Sequence, residues 1–507
     1  MADSLPLNQS EEVLELGATG IEMQAPGLQG QVVWHGRREP VAVRAESQES
    51  QQLRDAIQEA GLSDLATIEL NAETPPLPPG YQRILLDEVA PNEVLFDVPV
   101  TSLDEQQFAI YIDEDGAVSL EFPQESAAAP AGTRSARGLS RRYRIPLRQA
   151  AGRPQSENRL MGALALKIIK FVARKALGAA AGVAIKSAAQ LWENKCRGAQ
   201  GFHGGSVDQL LAAIPIPVTD WKALQKQKAL LFIHGTTSTT AGAFQGLKQF
   251  SAVSQELYQR YGNRVLGFNH HTLTKCVAQN VIDFHDALPE GEYYFDIVCH
   301  SRGGLVARSL LALSHQQLCA LSNVTWSSPA NKKVKIEKIF MVGTPNAATD
   351  LADPNDVPRL LNRLATVISL IDIAGPILAL GAVLSAASDV VEKLQHLPGL
   401  CDMSPNSPLL AALNVKSNFA NDYWAVQANF RPSGSLAAVL EKGAQALVFK
   451  DKENDLIVPT AGVSVTPAFD LAQVNPVRFF QFNGDDVNHV NYFYQQEVWD
   501  KALAFLP

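Results

Sequence analysis

Apolar and polar positions follow two different rhythms along this chain. Over the first 123 residues they alternate in short stretches broken by turn residues, which is the period of half-buried strands. Gln31–Trp34, Val41–Arg44, Arg83–Leu86 and Val94–Val98 read this way. The strongest local signal is Phe108–Ile112 followed by Asp113-Glu-Asp-Gly116 and then Ala117–Phe122. That pattern predicts a hairpin whose Asp-Gly turn uses glycine's freedom at positive φ. A helix near residues 48–61 is expected to interrupt the strands.

From about residue 205 the rhythm changes to continuous apolar runs separated by helical spacings. Ala229–Ile233, Arg264–Phe268, Tyr294–Val298, Lys338–Val342, Tyr423–Gln427, Ala446–Phe449 and Val477–Gln481 are the runs. Helices are expected near 274–288 and over Leu305–Ser314. Strands buried on both faces and alternating with helices predict an α/β domain with a mostly parallel central sheet. Residues 350–400 break the rhythm. Leu364–Leu384 is almost wholly apolar yet holds Asp372 and the Gly375-Pro376 break, which suits a helical cap over an apolar pocket better than a membrane span.

Between these regions, residues 124–158 are rich in Ala, Pro, Ser, Gly and Arg and read as a linker. Residues 159–204 follow as a basic amphipathic helical segment. Leu160, Leu164, Ile168, Phe171 and Val172 recur there among Lys167, Lys170, Arg174 and Lys175. Two roles fit such a helix: peripheral contact with an anionic membrane through about 159–190, or packing with its cations toward the acidic N-terminal domain.

Charge makes the second role concrete. The 507 residues carry a net charge of −9, but residues 1–133 hold 24 acidic and 5 basic side chains, whereas residues 134–175 hold 12 basic and one acidic. Each block supplies the other with a partner. The overall acidity argues against a nucleic-acid partner. With 46% hydrophobic and 19% charged residues, the chain is built to bury a large core. Five scattered cysteines fit a reducing compartment, and Met1–Asn8 has neither a basic nor an apolar leader region, so a cytoplasmic protein is expected. No metal-ligand spacing and no glycine-rich phosphate loop stands out, so no cofactor or metal is expected.

The chemistry concentrates in Cys299-His300-Ser301-Arg302-Gly303-Gly304, between an expected buried strand and an expected helix. A sharp strand–turn–helix turn lifts a serine hydroxyl clear of the sheet, and small residues on either side let the two elements approach. Cys299 stands where glycine is more usual. Upstream, Phe232-Ile-His-Gly-Thr236 places His-Gly directly after a core strand. The N–H groups of Thr236 and Arg302 are then the candidate oxyanion hole. Downstream, the order serine, acid, histidine points to Asp455 in Glu453–Pro459, with Asp451 as runner-up, and to His489 in Asp485–Tyr492. Each of these residues also has a plain reading, as a strand-end histidine, a turn aspartate or a surface-loop imidazole.

These segments resemble the lipase-like α/β-hydrolases over about residues 205–507, and within them the bacterial relatives of the PGAP1-like and DUF676-type serine esterases. Val342-Gly-Thr-Pro-Asn346 is similar to the strand end after the nucleophile helix there. Asp402-Met-Ser-Pro-Asn-Ser407 with Leu413-Asn414 is similar to the stretch after the cap, and Asn269–Leu273 with Asn280 to the segment before the nucleophile strand. The resemblance implies an α/β-hydrolase domain with a helical cap, a Ser301–Asp455–His489 triad and cleavage of carboxylic esters, with lipid-like acyl esters as substrates. A thioesterase, acyltransferase or amidase using the same triad, and a non-catalytic interaction module of hydrolase shape, are the rival readings. The residues of the N-terminal domain point to no particular partner.

Overall fold

Strand pairing, not helical periodicity, organises residues 140–146 and 166–175 as well as the strands before them. The computed structural model describes residues 3–36, 63–73, 93–100, 105–112, 118–121, 123, 140–147, 166–175, 193, 200–211, 220–327, 331–352, 397–415, 422–431, 452–474 and 477–507. They fall into two compact units that divide near residue 181.

In the first unit the strands are β1 (Asp3–Asn8), β2 (Leu14–Glu15), β3 (Glu22–Gln24), β4 (Gln29–Gly36), β5 (Ser63–Glu73), β6 (Glu93–Pro99), β7 (Glu105–Ile112), β8 (Val118–Glu121), β9 (Ser140–Pro146) and β10 (Leu166–Lys175). They form an antiparallel sheet in the order β1-β4-β5-β10-β7-β8 and a second in the order β2-β3-β6-β9. Val32, Ile68, Ile169 and Phe171 of the first sheet share one core with Met23, Phe96, Tyr143 and Ile145 of the second. Phe171 meets both Phe96 and Tyr143 edge to face, with ring centroids 5.2 and 5.1 Å apart. The expected hairpin is present as the β7–β8 pair, in which Ile112 lies opposite Val118.

Two expectations are corrected here. Within the segment expected to be a basic amphipathic helix, Leu166–Lys175 is a strand, paired on both sides, with β5 and with β7, while residues 159–165, 176–192 and 194–199 lie outside the described residues. Ile168, Ile169 and Val172 are β-branched, and burial falls on Ile169 and Phe171, two apart. The i, i+4 recurrence that suggested a helix is overridden by that alternation. Residues 140–146, placed in a linker, form β9. Tyr143 and Ile145 face the core while Arg142 and Arg144 reach acidic partners on β6. Arg142 makes two hydrogen bonds of 2.9 and 2.8 Å to Asp97, and Arg144 one of 3.0 Å to Glu93. The charge complementarity between the basic and acidic blocks is therefore realised between strands. The helix expected near 48–61, the strands at 41–44, 83–86 and 446–449, the 113–117 turn and residues 353–396 of the expected cap lie outside the described residues.

The second unit holds β11 (Gly201–Gly204), β12 (Lys228–Ile233), β13 (Val265–Asn269), β14 (Gly291–His300), β15 (Lys332–Val342), β16 (Tyr423–Phe430) and β17 (Phe479–Gly484). Their order is β11-β13-β12-β14-β15-β16-β17, parallel throughout except for the edge strand β11. The helices are α1 (Val207–Leu210), α2 (Thr240–Ala243), α3 (Ser251–Arg260), α4 (Val277–Ala287), α5 (Gly303–Ala312), α6 (His315–Ser322), α7 (Pro398–Cys401), α8 (Pro408–Leu413), α9 (Ala461–Ser464) and α10 (Gln496–Phe505). On one face Leu230, Phe232, Phe340 and Val426 pack against Leu257 of α3 and Trp499 and Phe505 of α10. Successive strand residues point to opposite faces, and α5 runs against β12, β14 and β15. The C-terminal ends of β12 to β16 are buried, as an α/β layer arrangement demands, whereas β17 is only partly buried. Among the described residues, no helix is long and apolar enough to cross a membrane.

Candidate active site

Parallel strands deliver their C-terminal ends to one edge of the sheet, where loops rather than ladder bonds decide what each chain end carries. Ser301 follows β14 directly, His234 follows β12, and His489 lies beyond β17. The loop bearing Asp455 closes on the end of β16, where the Phe430 N–H donates to the Asn454 carbonyl.

Ser301 sits between β14 and α5 with φ 52°, in the left-handed region. A non-glycine residue there costs about 1–2 kcal/mol, and a surrounding structure has to hold it. The Ser301 N–H donates 2.8 Å to the Val342 carbonyl on β15, and the Gly304 N–H donates 2.9 Å to the Ser301 carbonyl. The small residues flanking the serine are required by close approach. A Cβ on Gly303 would lie 2.4 Å from the Ile233 carbonyl oxygen, and one on Gly235 would lie 2.6 Å from Ser301 Cβ. Cys299 is buried and its Sγ lies 3.5 Å from the Phe340 carbonyl oxygen.

The Ser301 hydroxyl lies 2.9 Å from Nε2 of His489, and Nδ1 of His489 lies 2.8 Å from Oδ2 of Asp455. Asp455 is acceptor-only when ionised, so Nδ1 carries the proton and Nε2 is left to accept from the serine. The main chain fixes the same pair, because the His489 N–H donates 2.9 Å to the Asp455 carbonyl. Oδ1 of Asp455 accepts from the N–H groups of Ile457 and Val458, at 3.1 and 2.8 Å. Burial pushes the Asp455 carboxyl up, but the facing His489 and the two turn amides outweigh it and hold it below the usual carboxylate range. Relative exposure is 4% for Ser301, 2% for His489 and 1% for Asp455. The hydroxyl expected to stand clear of the sheet does face the imidazole, but it is buried and not open to solvent.

The three expected side chains thus meet. The two amides expected as an oxyanion hole, those of Thr236 and Arg302, have no protein acceptor among the described residues. Asp451, the alternative acid, lies outside the described residues.

Sequence reasoning missed Tyr492, whose buried hydroxyl donates 2.9 Å to the same Oδ2 that holds His489. Burial, together with the Asp455 charge, raises its phenol well above the ordinary value, so it stays a donor. Its spacing of three from His489 was the available signal. His300 was also missed. Its Nε2 lies 2.7 Å from the His489 carbonyl oxygen, and burial with repulsion from His489 lowers it to about 3, so the ring is neutral.

The remaining motif residues build the scaffold. Asn269 Oδ1 accepts from the N–H and hydroxyl of Thr240, at 2.9 and 3.1 Å. Buried Arg308 joins two motifs, donating 3.1 Å to Asn346 Oδ1 and 3.0 Å to Asn414 Oδ1. Arg302 donates to the carbonyls of Gly399 and Lys275, at 3.0 and 2.7 Å, and lies 3.5 Å from Asp402. Burial raises Asp402 to about 6, despite the pull of Arg302. No group of three or more metal-ligating side chains occurs among the described residues.

A family model described as "Domain of unknown function (DUF7379)" matches residues 207–507. No curated protein matches the chain. Among solved structures, phospholipase PlaB from Legionella pneumophila is 13% identical over 47% of this chain and 45% of its own, with a TM-score of 0.29, so the match spans under half of PlaB. Lipase 1 from Pelosinus fermentans is 15% identical over 55% of this chain and 98% of its own, with a TM-score of 0.35. EstA from Clostridium botulinum is 12% identical over 64% of this chain and 97% of its own, also with a TM-score of 0.35.

Proposed function

The chain belongs to the DUF7379 family, and we propose that it is a serine hydrolase of the α/β-hydrolase kind that cleaves carboxylic esters, with lipid-like acyl esters as its substrates. The observation that carries this reading is the unbroken Ser301–His489–Asp455 relay, at 2.9 and 2.8 Å, with the serine held at positive φ. A binding module has no need of a strained serine facing an oriented imidazole. The resemblance of Val342–Asn346 and Asp402–Ser407 to PGAP1-like and DUF676-type esterases supports the same assignment.

In this reading His489 Nε2 takes the Ser301 proton as Oγ attacks the ester carbonyl carbon. The developing oxyanion is received by the Thr236 and Arg302 amides, and loss of one such donor typically costs about 10²–10³ in rate. Asp455 holds the imidazole in the accepting tautomer and stabilises the imidazolium. The alcohol leaves with the proton from His489, and water activated by the same nitrogen then clears the acyl-serine. The apolar run Leu364–Leu384 is the sequence feature that favours an acyl chain.

A p-nitrophenyl ester series of increasing acyl length, with Ser301→Ala as control, tests this. The wild-type chain should turn over esters and be labelled at Ser301 by a fluorophosphonate. Equal turnover by Ser301→Ala removes the proposed nucleophile.

A further inference from the structure

Glu193 is 1% exposed and far in sequence from every residue of the proposed triad, yet its carboxylate is fully engaged by one short segment. Oε1 accepts from the N–H of Thr272, from the Thr272 hydroxyl at 3.2 Å and from the Leu273 N–H at 2.8 Å. Oε2 accepts from the N–H of Thr274 at 3.2 Å and from the Thr274 hydroxyl. Three successive amides and two hydroxyls converging on one carboxylate fix the backbone of that segment as few other arrangements could.

The segment matters because of what it holds in turn. Thr272 Oγ1 accepts 3.0 Å from the N–H of Thr237. The polarity of this relay is forced, since an amide can only donate and an ionised carboxylate can only accept. The single hydroxyl hydrogen therefore points at Glu193. Thr237 has φ 56°, a region a β-branched residue rarely adopts, and it directly follows Thr236. The same segment reaches the loop a second time, with the His270 N–H donating 3.1 Å to His234 Nε2. It also reaches the other side of the site, where the Lys275 carbonyl accepts 2.7 Å from the Arg302 guanidinium.

We infer that Glu193 is a positioning residue for the oxyanion amides, acting through the Thr272 hydroxyl and the Thr237 N–H on the loop that carries Thr236. This inference rests on the ester-hydrolase reading, in which those amides receive charge only in the transition state. A loosened Thr236 loop then lowers kcat and leaves ground-state binding alone.

Thr272→Val is the decisive variant, because it keeps the shape and removes the hydroxyl. Full-length protein would be assayed for p-nitrophenyl ester turnover, for the rate of Ser301 labelling by a fluorophosphonate and for its melting temperature. Thr272→Val should lose about ten- to a hundredfold in kcat, less than the loss of an oxyanion donor itself, with KM within about twofold. Thr272→Ser, which restores the hydroxyl, should recover most of the rate. Glu193→Gln should lose a similar factor, and the double variant Glu193→Gln with Thr272→Val little more than the worse single, because both break one relay. A Thr272→Val protein with wild-type kcat, or with a loss confined to KM or matched by its unfolded fraction, overturns the inference. So does a Thr272→Ser protein no better than Thr272→Val. Should Glu193→Gln fail to fold, the two Thr272 variants decide alone. A wild-type chain that neither hydrolyses esters nor reacts with the phosphonate overturns the hydrolase reading itself, and this inference with it.

Discussion

Replacing Asp455 by Asn tests the relay most sharply, because it changes the charge and donor pattern while keeping the shape. The two oxygens of Asp455 do different work. Oδ1 accepts the turn amides of Ile457 and Val458, and Oδ2 accepts His489 Nδ1–H at 2.8 Å and the Tyr492 hydroxyl at 2.9 Å. The turn amides keep the carbonyl oxygen of an asparagine at the Oδ1 position, so its amide nitrogen falls where Oδ2 was. Two new N–H groups then face two existing donors. The imidazole relieves the conflict by moving its proton to Nε2, which leaves Nδ1 to accept and leaves Ser301 without a base. In a serine protease the same exchange costs about 10⁴ in kcat, so a loss of about 10³–10⁴ is expected here, or roughly 4–5.5 kcal/mol in activation free energy. Stability should fall less, by about 1–3 kcal/mol, because the turn bonds survive and only the charge-assisted ones are lost. Steady-state ester hydrolysis and thermal melting of Asp455→Asn measure the two effects. A variant that keeps more than about a tenth of the wild-type kcat shows that Asp455 does not set the tautomer of His489.

Three further outcomes follow from the geometry. Tyr492→Phe removes a donor from Oδ2 and should cost about 1.5–3 kcal/mol of stability, with a loss of a few-fold in kcat; unchanged melting and turnover would show that the phenol contributes nothing. Gly235→Ala would put a methyl 2.6 Å from Ser301 Cβ and 3.1 Å from His300 Nδ1, so labelling of Ser301 by a fluorophosphonate should slow at least about tenfold, and a wild-type labelling rate refutes the close approach. Burial holds His300 to about 3 and His203 and His285 to about 4, and lowers His270 well below its ordinary value. The unfolded chain therefore takes up protons below pH 6.5 that the folded one refuses, and stability present above pH 6.5 is lost as pH falls, at up to about 1.4 kcal/mol per pH unit for each histidine. Asp402, raised to about 6, returns part of this below pH 6; equal urea midpoints at pH 7 and pH 5 would refute the balance.

How much of this was legible depended on which force fixed each element. The runs Ala229–Ile233, Tyr294–Val298 and Lys338–Val342 are apolar at every or nearly every position, and only a strand buried on both faces demands that over so short a length. They appear as β12, β14 and β15 with the expected boundaries to within a few residues at their C-terminal ends. The start of β15 at Lys332 was not visible, because its first residues alternate lysines with apolar positions at the sheet's margin. Leu166–Lys175 was misread because its apolar residues fit both a helical stripe and a strand. The arbiter was pairing with β5 and β7, whose partner residues lie 56 to 110 positions upstream. Ser301, His489 and Asp455 could be singled out because the residue types of the proposed nucleophile, base and acid stand at strand ends, and the structure brings their side chains within hydrogen-bond distance. Glu193 leaves none. Its role comes from a tertiary meeting with residues 272–274, and a lone glutamate in Leu191-Trp-Glu-Asn-Lys195 carries no hint of that.

Convergence of the site is a property of the sheet more than of any motif. Ser301 stands at the end of β14, whereas the Asp455 loop meets the end of β16 and His489 follows β17, so β15 lies between Ser301 and its two partners. Asp455 and His489 have to cross the end of β15 to reach Ser301, and whatever residue stands there must occupy almost no space. That residue is Gly343, with φ 58°, whose N–H donates 2.9 Å to the Val426 carbonyl on β16. A Cβ at this position would lie 3.0 Å from the Tyr492 ring and 3.3 Å from both Asp455 Oδ2 and His489 Nδ1. Any side chain would therefore press on the Asp–His hydrogen bond from below, and it would have to adopt a backbone conformation that L-residues avoid. The bare strand end lets an imidazole from the last loop of the domain lie across a neighbouring strand and still meet a hydroxyl at 2.9 Å.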